Sequence, residues 1–402
     1  MSLRTDYAGL SGAQRRVIWA SYLGWTLDAF DFFLLVFMLK AISSSFDVKV
    51  SEVSAALFLT LAARPLGALV FGWLGDRFGR RPVLMAVILA FSLFSALSGF
   101  ARNLGELLFI RALFGFAMGG EWGLGASLAM ESIPARMRGP VSGLLQSGYP
   151  SGFLLASLAY FLLFDALGWR MMFLLGLVPA LLVLFIRMRV EESPIFLAHQ
   201  HESKIIPLVA IAQHWQLALY LIVLMTAFTL FSHGTQDLYP TFLQKQHGFT
   251  TQMTGAVTVF MNIGAISGAS LFGSLSERLG RRRAIMCAAL LAVPVLPVWA
   301  FSHSVVALAL GAFAMQFAVQ GAWGMVPAYL NELSPPAIRA TFPGLVYQLG
   351  NLLSSACGPF QAGLAEQRGD DYAFALALVA GIAIAVLVIW TAFGPERNQE
   401  FE

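Results

Sequence analysis

The sequence is divided by long blocks that contain no charged side chain. Asp, Glu, Lys and Arg are all absent from residues 82–101, 139–164, 205–236, 246–276, 284–331, 340–365 and 372–395. About 20 apolar residues cross the hydrocarbon core of a bilayer as a helix, so blocks of this length are typical of membrane spans. Only 12% of the 402 residues are charged, about half the share found in soluble domains. The pattern excludes a soluble enzyme, a disordered chain and a nucleic-acid binder, and the uninterrupted runs are unlike the alternating strands of a β-barrel.

Charged and Pro/Gly-rich positions divide the apolar runs into twelve predicted helices, numbered here as spans 1 to 12. They lie near residues 17–39, 52–75, 82–101, 105–130, 139–164, 168–189, 214–242, 250–276, 283–302, 304–330, 340–365 and 372–394. One long polar connection lies between spans 6 and 7. It divides the chain into an N-terminal bundle (1–189), a cytoplasmic linker (190–213) and a C-terminal bundle (214–402). The predicted fold class is an all-α integral membrane protein with six helices in each bundle.

The loops on the two sides of the predicted membrane differ in their basic residues. Most of the 25 Lys and Arg residues fall on the side that holds the N-terminus. Because basic loops stay in the cytoplasm, both termini are predicted to be cytoplasmic. The predicted location is a plasma membrane, such as a bacterial inner membrane, which the chain crosses many times.

The two halves contain the same motifs at a constant offset of 201 residues. Residues 72–81 read GWLGDRFGRR, and residues 273–282 read GSLSERLGRR. The same offset relates two further sets of residues. Glu131, Pro134 and Arg138 correspond to Glu332, Pro335 and Arg339. Gly120, Trp122 and Gly123 correspond to Gly321, Trp323 and Gly324. These matches indicate a duplicated unit and hence two pseudo-symmetric bundles. Such an arrangement is typical of secondary transporters, in which substrate binds near the middle of the membrane between the halves.

The repeated loop segment places acidic and basic side chains together at one end of the helices. Gly72 allows neighbouring helices to approach closely, and Asp76 lies at a helix end among several arginines. Such a cluster can hold helices together in one conformation and release them in another, although the arginines could also serve only to set topology. Glu131 with Arg138, and Glu332 with Arg339, are predicted accessory latches. The predicted gating residues are Gly72, Asp76, Arg77, Arg80, Arg81, Glu131, Arg138, Gly273, Glu277, Arg278, Arg281, Arg282, Glu332 and Arg339.

Six charged side chains lie well inside the predicted spans, where each costs about 2.5–3.5 kcal/mol at the bilayer centre on insertion scales. They are Asp28 and Asp31 in span 1, Arg64 in span 2, Arg111 and Glu121 in span 4, and Asp237 in span 7. Each is therefore expected to face protein or water. Asp28, Asp31 and Glu121 are predicted to take part in proton coupling, although Asp31 could equally be a structural hydrogen-bond acceptor.

His233 and Asp237 lie one helical turn apart on the same face of span 7. An imidazole with an ordinary pKa near 6.5 beside a carboxylate can accept and release a proton near neutral pH. The alternative is a buried histidine satisfied by packing alone. The spacing predicts that the pair couples proton movement to transport, with Gln236 beside it in the substrate site.

Arg111 is the predicted counter-ion of a substrate carboxylate, because a planar guanidinium can donate two parallel hydrogen bonds to it. The alternative is a structural pair with Glu121 or Asp28. For Arg64 the structural role is favoured, because it precedes Pro65 in a position where a helix can kink.

Five uncharged polar residues are weaker candidates for contact with the substrate. They interrupt the apolar sequences of spans 5, 8 and 11 and are Gln146, Tyr149, Asn262, Gln348 and Asn351. Hydrogen bonds between helices explain such residues at least as well as ligand contacts do.

Several of these motifs resemble those of the major facilitator superfamily, and the resemblance extends over the whole chain. They are G-x-x-x-D-R-x-G-R-R at 72–81 and its copy at 273–282, R-x-x-x-G at 111–115 and Arg-Val-Glu-Glu-Ser-Pro at 189–194. Residues 232–241 read SHGTQDLYPT, which is similar to the span-7 signature N-x-x-[ST]-H-x-[ST]-Q-D-x-x-x-T of the lactate/pyruvate:proton symporters. Those symporters are related to the sialate:proton symporters. Thr229 stands where that signature has Asn.

The resemblance implies symport of a small monocarboxylate, such as lactate or pyruvate, with protons by alternating access. The expected partners are a small organic anion, protons and the lipid bilayer, with a functional monomer and no nucleic acid, metal or cofactor. The alternatives are a symporter of a larger organic acid (sialate, an aromatic acid or a dicarboxylic acid) and a non-transporting sensor of the same fold. An enzyme is not expected, because the sequence has no Walker, HExxH or GxSxG motif.

Overall fold

Long apolar helices make up most of the protein. The computed structural model describes residue 7 and residues 9–198 and 207–395, and all the regular elements in these ranges are helical. In the first half the helices are α1 (Gly12–Phe46), α2 (Val50–Phe78), α3 (Arg80–Ser98), α4 (Leu104–Ser132), α5 (Arg138–Gln146), α6 (Gly148–Leu174) and α7 (Val178–Arg189). Two short helices follow, which are α8 (Pro194–Ala198) and α9 (Pro207–Gln213). In the second half they are α10 (Trp215–Gln236), α11 (Tyr239–Lys245), α12 (Thr251–Leu279), α13 (Arg281–Phe301), α14 (Val305–Trp323), α15 (Val326–Leu333), α16 (Thr341–Ser354), α17 (Cys357–Gln367) and α18 (Tyr372–Ala392).

These helices account for the twelve predicted spans, and the all-α membrane fold is confirmed. Ten helical stretches of the described chain are long and apolar enough to cross a membrane. One of them, Ala135–Arg189, contains spans 5 and 6, which are separated at Gly168, where the backbone has a φ of 67°. Span 11 is not among these ten stretches, because it is divided into α16 and α17, and each of these helices is too short to cross a membrane alone. Spans 7 and 10 are also divided, into α10 with α11 and α14 with α15.

The repeated loop motif ends one helix and begins the next through a glycine. Gly79 ends α2 with a φ of 107°, and Gly280, its equivalent at an offset of 201 residues, ends α12 with a φ of 82°. These angles lie in a region that L-residues with a Cβ atom rarely occupy. The glycine therefore lets the chain reverse within one residue and places the arginines on both sides of it at the same end of the bundle.

The two halves pack in equivalent ways. In the first half α2 packs along α4, and in the second half α12 packs along α14. The halves meet mainly where α12 contacts α5 and where α16 contacts α2, and these two interfaces are also related by the repeat. We call the end at which α1 begins and α2 ends the terminal face, and the opposite end the distal face.

The outer surface of the helices is apolar. Large hydrophobic side chains remain highly exposed around the bundle, with Phe161 81%, Met188 71% and Leu181 66% exposed. Soluble proteins do not leave so much contiguous apolar surface in water, and lipid is the solvent that this surface fits. Several arginines and carboxylates, in contrast, are buried inside. The bounds predicted for the two bundles and the linker stay a prediction, and residues 199–206 of that linker lie outside the described chain.

Candidate functional site

A cavity of about 460 Å³ lies between the two halves. On α1, which runs from the terminal to the distal face, the lining residues lie in the middle and distal part of the helix. On α2 and α12, which run the other way, they lie in the first half. The cavity therefore occupies the distal half of the molecule. Its principal lining residues are Phe32, Phe33, Phe37, Leu61, Tyr149 and Phe153 from the first half and His233, Gln236, Asp237, Asn262, Gln320 and Asn351 from the second.

The cavity narrows toward the terminal face into a deep pocket of about 50 Å³. This pocket shares Tyr149, His233, Gln236, Gln320 and Asn351 with the main cavity. It is further lined by Arg64, Gln146, Ser232, Trp323 and Tyr347. Among the described residues around the two spaces, Arg64 supplies the permanent positive charge. The deep pocket therefore combines one guanidinium with several neutral hydrogen-bonding groups, a composition that suits an anion with further polar atoms.

His233 and Asp237 form a hydrogen-bonded pair in the wall of the cavity. His233 Nδ1 lies 3.0 Å from Asp237 Oδ2, and the two side chains are 31% and 43% exposed. Asp237 follows directly after the end of α10, before α11 begins. Because this break turns the carboxylate into the cavity, the pair is in contact with solvent and not sealed in the protein.

The surrounding helices fix the position of this end of α10. Gln361 Nε2 on α17 donates to Gly234 O at 2.8 Å, and Gln316 Nε2 on α14 donates to the Thr235 hydroxyl at 2.9 Å. Thr235 is fully buried and thus contacts helices rather than the cavity. His233 and Gln236 consequently face the cavity from a rigid support.

Arg64 and Arg111 have different surroundings from those expected from the sequence. Arg64 lines the deep pocket, with its guanidinium carbon 5.3 Å from the Phe32 ring centroid and its Nη2 2.6 Å from Met118 Sδ. Arg111 borders neither the cavity nor the deep pocket. It is fully buried, with its guanidinium 3.7 Å from the Phe114 ring centroid. Apolar residues occur on every face of these two spans, so helical periodicity does not show which face points toward the cavity, and the sequence does not distinguish the two arginines.

The three acidic residues inside the first half are buried behind the cavity wall. Asp28, Asp31 and Glu121 are at most 1% exposed, and the carboxyl oxygens of Asp28 and Glu121 have no hydrogen-bond partner among the described residues, whereas Asp31 lies beside the Ser95 hydroxyl. Asp28 lies within electrostatic range of Arg64, and Asp31 of Arg111. The first half therefore contains a buried group of three acids and two bases, which is connected to the cavity through Arg64.

The uncharged candidates separate into residues that face the cavity and one that lies behind it. Gln146 lines the deep pocket, Asn262 lines the main cavity, and Tyr149 and Asn351 line both. Gln348 is 1% exposed and its Oε1 accepts a hydrogen bond from Asn351 Nδ2 at 3.3 Å. Gln320, which also lines both spaces, was not predicted because nothing in the sequence distinguishes it from the neighbouring buried Gln316.

Aromatic side chains from both halves close the space below the deep pocket. Tyr347 lies at ring-centroid distances of 4.5 Å from Trp122 and 5.7 Å from Trp323. Trp25 packs 6.3 Å from Tyr347 and stacks 5.7 Å from Tyr149. Trp122 and Trp323 are equivalent positions of the repeat, so this floor is built by both bundles and must part if the cavity is to reach the terminal face.

Below this floor, Asp76 joins the first half to the second. Its carboxylate accepts hydrogen bonds from Ala340 N at 2.8 Å, Thr341 N at 3.0 Å and the Thr341 hydroxyl at 2.6 Å. Arg80 lies 3.3 Å from Asp76 and 3.1 Å from Glu131. Asp76 thus caps the beginning of α16 across the interface, while Arg80 holds the carboxylate in place.

The second half makes the equivalent contact in the opposite direction. Glu277 Oε1 accepts a hydrogen bond from Gly139 N at 2.5 Å. Arg281 lies 2.8 Å from Glu277 and 2.8 Å from Glu332. Each half therefore extends an acidic side chain to the backbone of the other, and these contacts hold the halves together at the terminal face.

The other predicted gating residues surround these two clusters. Ser127 Oγ donates to Arg339 O at 2.7 Å, and Arg138 Nε lies 3.4 Å from Met130 O. Burial lowers the pKa of Arg339 to about 10, and Glu131 of the other half opposes this change. Arg81 and Arg282 donate to backbone carbonyls at the ends of α7 and α18. Arg77 packs on the rings of Trp73 and Phe78, whereas Arg278 is exposed.

Gly72 and Gly273 allow the halves to come this close. A Cβ atom on Gly72 would lie 2.5 Å from Thr341 Cα, and one on Gly273 would lie 2.7 Å from Gly139 O. Neither contact is sterically possible without separation of the backbones. The predicted close approach at Gly72 thus takes place across the interface between the halves.

One part of the terminal face was not assigned a role from the sequence. The Glu192 carboxylate accepts hydrogen bonds from the N–H groups of Arg80 and Arg81, and the Ser193 hydroxyl lies 2.5 Å from Glu131 Oε2. Burial raises the pKa of Glu192 above its ordinary value, although these backbone donors lower it. The segment after α7 therefore covers the Asp76–Arg80–Glu131 cluster. The acidic Glu-Glu-Ser-Pro sequence was the available signal.

Comparison with protein families gives one match that covers nearly all of the chain. The model described as Major Facilitator Superfamily matches residues 22–269 and 223–402. Together the two overlapping matches cover residues 22–402.

Individual proteins of known name are similar over most of their length. The sialic acid transporter NanX of Escherichia coli is 27% identical over 95% of this chain and 95% of its own. A carboxylic acid transporter protein homolog of Saccharomyces cerevisiae is 29% identical over 90% of this chain and 64% of its own. The solved structure of the proton:xylose symporter XylE superimposes with a TM-score of 0.71 at 18% identity, over 96% of each chain.

Proposed function

The chain belongs to the major facilitator superfamily, and from this premise we propose that it is a proton-coupled symporter of an organic monocarboxylate. As a multi-pass membrane transporter of this superfamily, it is not an enzyme and uses no cofactor. The observation that carries the proposal is that Arg64 and His233 both line the deep pocket, while Asp237, the hydrogen-bonded partner of His233, lines the adjoining main cavity. One fixed positive charge and one protonatable pair thus border adjoining spaces.

Arg64 is the proposed partner of the substrate carboxylate. Its Nε has no hydrogen-bond partner among the described residues, and Arg64 is only 4% exposed, so water does not replace that partner. A buried charged donor that lacks a partner is costly, and a bound carboxylate would supply the missing acceptor. The relatives named for sialic acid and carboxylic acid transport support an acidic substrate. The sequence-based choice of Arg111 stays a prediction, but its position away from the cavity favours Arg64.

The His233–Asp237 pair is the proposed coupling site for the proton. Both side chains are accessible from the cavity, and a protonated imidazole beside the carboxylate adds positive charge where the anion binds. Asp28, Asp31 and Glu121 are proposed as further proton-binding groups, since their burial near Arg64 makes their charge sensitive to an anion there.

The proposed transport cycle alternates access between the two faces. The caps of Asp76 and Glu277 close the terminal face, while the cavity occupies the distal half. If the basic loops are cytoplasmic, as the positive-inside rule predicts, this structure is the outward-facing state. The cycle then requires both caps and the aromatic floor to open.

Lactate and pyruvate are the substrates proposed from the span-7 motif. His233 and Gln236 can donate hydrogen bonds to the oxygen on the second carbon of either acid, while the carboxylate binds Arg64. Uptake of radiolabelled lactate and pyruvate into proteoliposomes, with an imposed pH gradient, tests the proposal. Accumulation above equilibrium that disappears when a protonophore is added is expected. Uphill accumulation that is indifferent to the protonophore would exclude proton coupling.

A further inference from the structure

An aromatic ladder forms one wall of the cavity. We give this name to Phe33 and Phe37 of α1 with Tyr149 and Phe153 of α6. Phe33 lies 5.2 Å from Tyr149 and 4.8 Å from Phe153 between ring centroids, and Phe37 lies 5.5 Å from Phe153. The residues on each helix are four positions apart and thus share one face. The rings therefore form a continuous apolar surface from the deep pocket toward the distal face.

This surface faces the cavity and not the lipid. All four rings line the cavity and are half-buried. Phe161, two turns beyond Phe153 on the same helix, is outside the cavity and 81% exposed on the outer surface. An apolar wall in a water-filled cavity is unfavourable until a ligand covers it. A ligand that covers the ladder therefore gains affinity.

The opposite wall has a different chemistry. It comes from the second half and is mainly polar, although the apolar Met261 of α12 also lines it. Its principal polar residues are His233, Gln236, Asp237, Asn262, Gln320 and Asn351. A ligand that fits between the two walls has an apolar face and polar atoms at its edge. Planar rings have this form and pack favourably on aromatic side chains.

Phe32 connects the positive charge to the ladder. Its ring lies 5.3 Å from the Arg64 guanidinium and 5.4 Å from the Phe33 ring. A carboxylate on Arg64 therefore directs the remainder of its molecule along the ladder. We infer that the cavity selects monocarboxylates that carry a planar ring, and that Phe33 and Phe153 determine this preference. The inference rests on the proposed function, because it assumes that a carboxylate binds Arg64.

The size of the cavity agrees with such a ligand. Its volume of about 460 Å³ falls in the range of about 300–1,000 Å³ that is usual for small-molecule sites. A six-membered ring attached to a carboxylate on Arg64 would cover more of the apolar wall that begins at Phe32 than the methyl group of a three-carbon acid would.

Direct binding of two labelled acids to the purified full chain tests the inference. Radiolabelled benzoate is expected to bind at least about tenfold more tightly than lactate, which corresponds to a stacking contribution of ordinary size. Unlabelled cyclohexanecarboxylate, which lacks the flat ring, should displace benzoate less well than benzoate itself. Benzamide, which lacks the charge, should displace it poorly. Equal or tighter binding of lactate would overturn the inference.

Two leucine variants on the same helix separate the ladder from general effects. Phe153→Leu should weaken benzoate binding about fivefold or more while lactate binding changes less than about twofold. Phe161→Leu, on the outer surface, should change neither. If Phe153→Leu weakens both acids equally, the ladder does not determine specificity. Lactate uptake driven by a pH gradient, together with weak benzoate binding, would refute the inference and leave the proposed function intact. Binding of neither acid would instead contradict the proposed function.

Discussion

At the scale of single residues, the most informative contact is that between His233 and Asp237. The spacing of four residues predicted a shared helical face, and the structure places the two side chains 3.0 Å apart. The sequence could not show that α10 ends at this point. The break at Asp237 is what exposes the pair to the cavity.

Asp237→Asn should abolish uphill accumulation of substrate. The amide keeps the shape of the side chain but cannot take up a proton, so substrate movement would lose its driving force. Exchange of substrate between equal concentrations should largely survive, because it requires no net proton movement. Counterflow and pH-driven uptake in the same proteoliposomes measure the two properties. Asp165→Asn, at an exposed position outside the cavity, is the matched control, and accumulation by Asp237→Asn would disprove the coupling role.

The two arginines inside the membrane make a second test possible. Arg64→Lys keeps the charge but loses the planar fork, so the apparent KM should rise about tenfold or more. Arg111→Lys should leave KM within about twofold, because Arg111 does not border the cavity. Initial rates of uptake over a range of substrate concentrations measure both values. The reverse result would return the substrate carboxylate to Arg111.

At the scale of helices and loops, the repeated motif has a role that extends across the interface. The sequence predicted a cluster of acids and arginines that holds neighbouring helices together, but it did not show which helices these are. In the structure Asp76 and Glu277 each reach backbone N–H groups of the other half. A motif identifies its own residues, whereas a backbone partner has no side-chain signature.

Asp76→Asn should shift the protein toward states with an open terminal face. An amide forms weaker hydrogen bonds to Ala340 N and Thr341 N than a carboxylate does, and it leaves Arg80 with less negative charge nearby. Spin labels at Arg136→Cys and Ala337→Cys, in a background without the native cysteines, report the separation of the halves at this face. Longer distances are expected for Asp76→Asn and for the equivalent Glu277→Gln. An unchanged distance distribution in both variants would remove these caps from the gate.

Gly72→Ala should have a similar effect by a steric route. The added Cβ would lie 2.5 Å from Thr341 Cα, so α2 and α16 would have to separate. Gly363→Ala is the matched control, because a Cβ there meets nothing within 4 Å. The same pair of spin labels should show a longer distance in the first variant alone. Identical distances in the two variants would show that the glycine is not required for closure.

At the scale of the whole molecule, the sequence determined the architecture far better than the site. Charge-free blocks and the 201-residue offset specify spans and symmetry, since both depend only on hydropathy and repetition. They do not specify which face of a helix turns toward the cavity, because a helix such as α4 carries apolar residues on every face around its few charged ones. Arg111 was therefore chosen over Arg64, and the aromatic wall of Phe33 and Phe153 was not predicted. The path of the chain after α7, with Glu192 over Arg80, also depends on tertiary contacts that no local pattern encodes.

The caps at the terminal face also affect how this interface can evolve. The acceptor in each cap is a carboxylate, that of Asp76 or Glu277. The donors are the main-chain N–H groups of Ala340, Thr341 and Gly139, together with the Thr341 hydroxyl. Any residue except proline supplies a main-chain N–H donor, so a change of side chain at Ala340 needs no compensating change at Asp76. A search for positions that mutate together across homologues will therefore not detect the contact between Asp76 and Ala340. On the donor side, this contact therefore sets no requirement for the side chain at Ala340, whereas Gly139 cannot be replaced freely, because a Cβ atom there would lie 2.4 Å from Gly273 O.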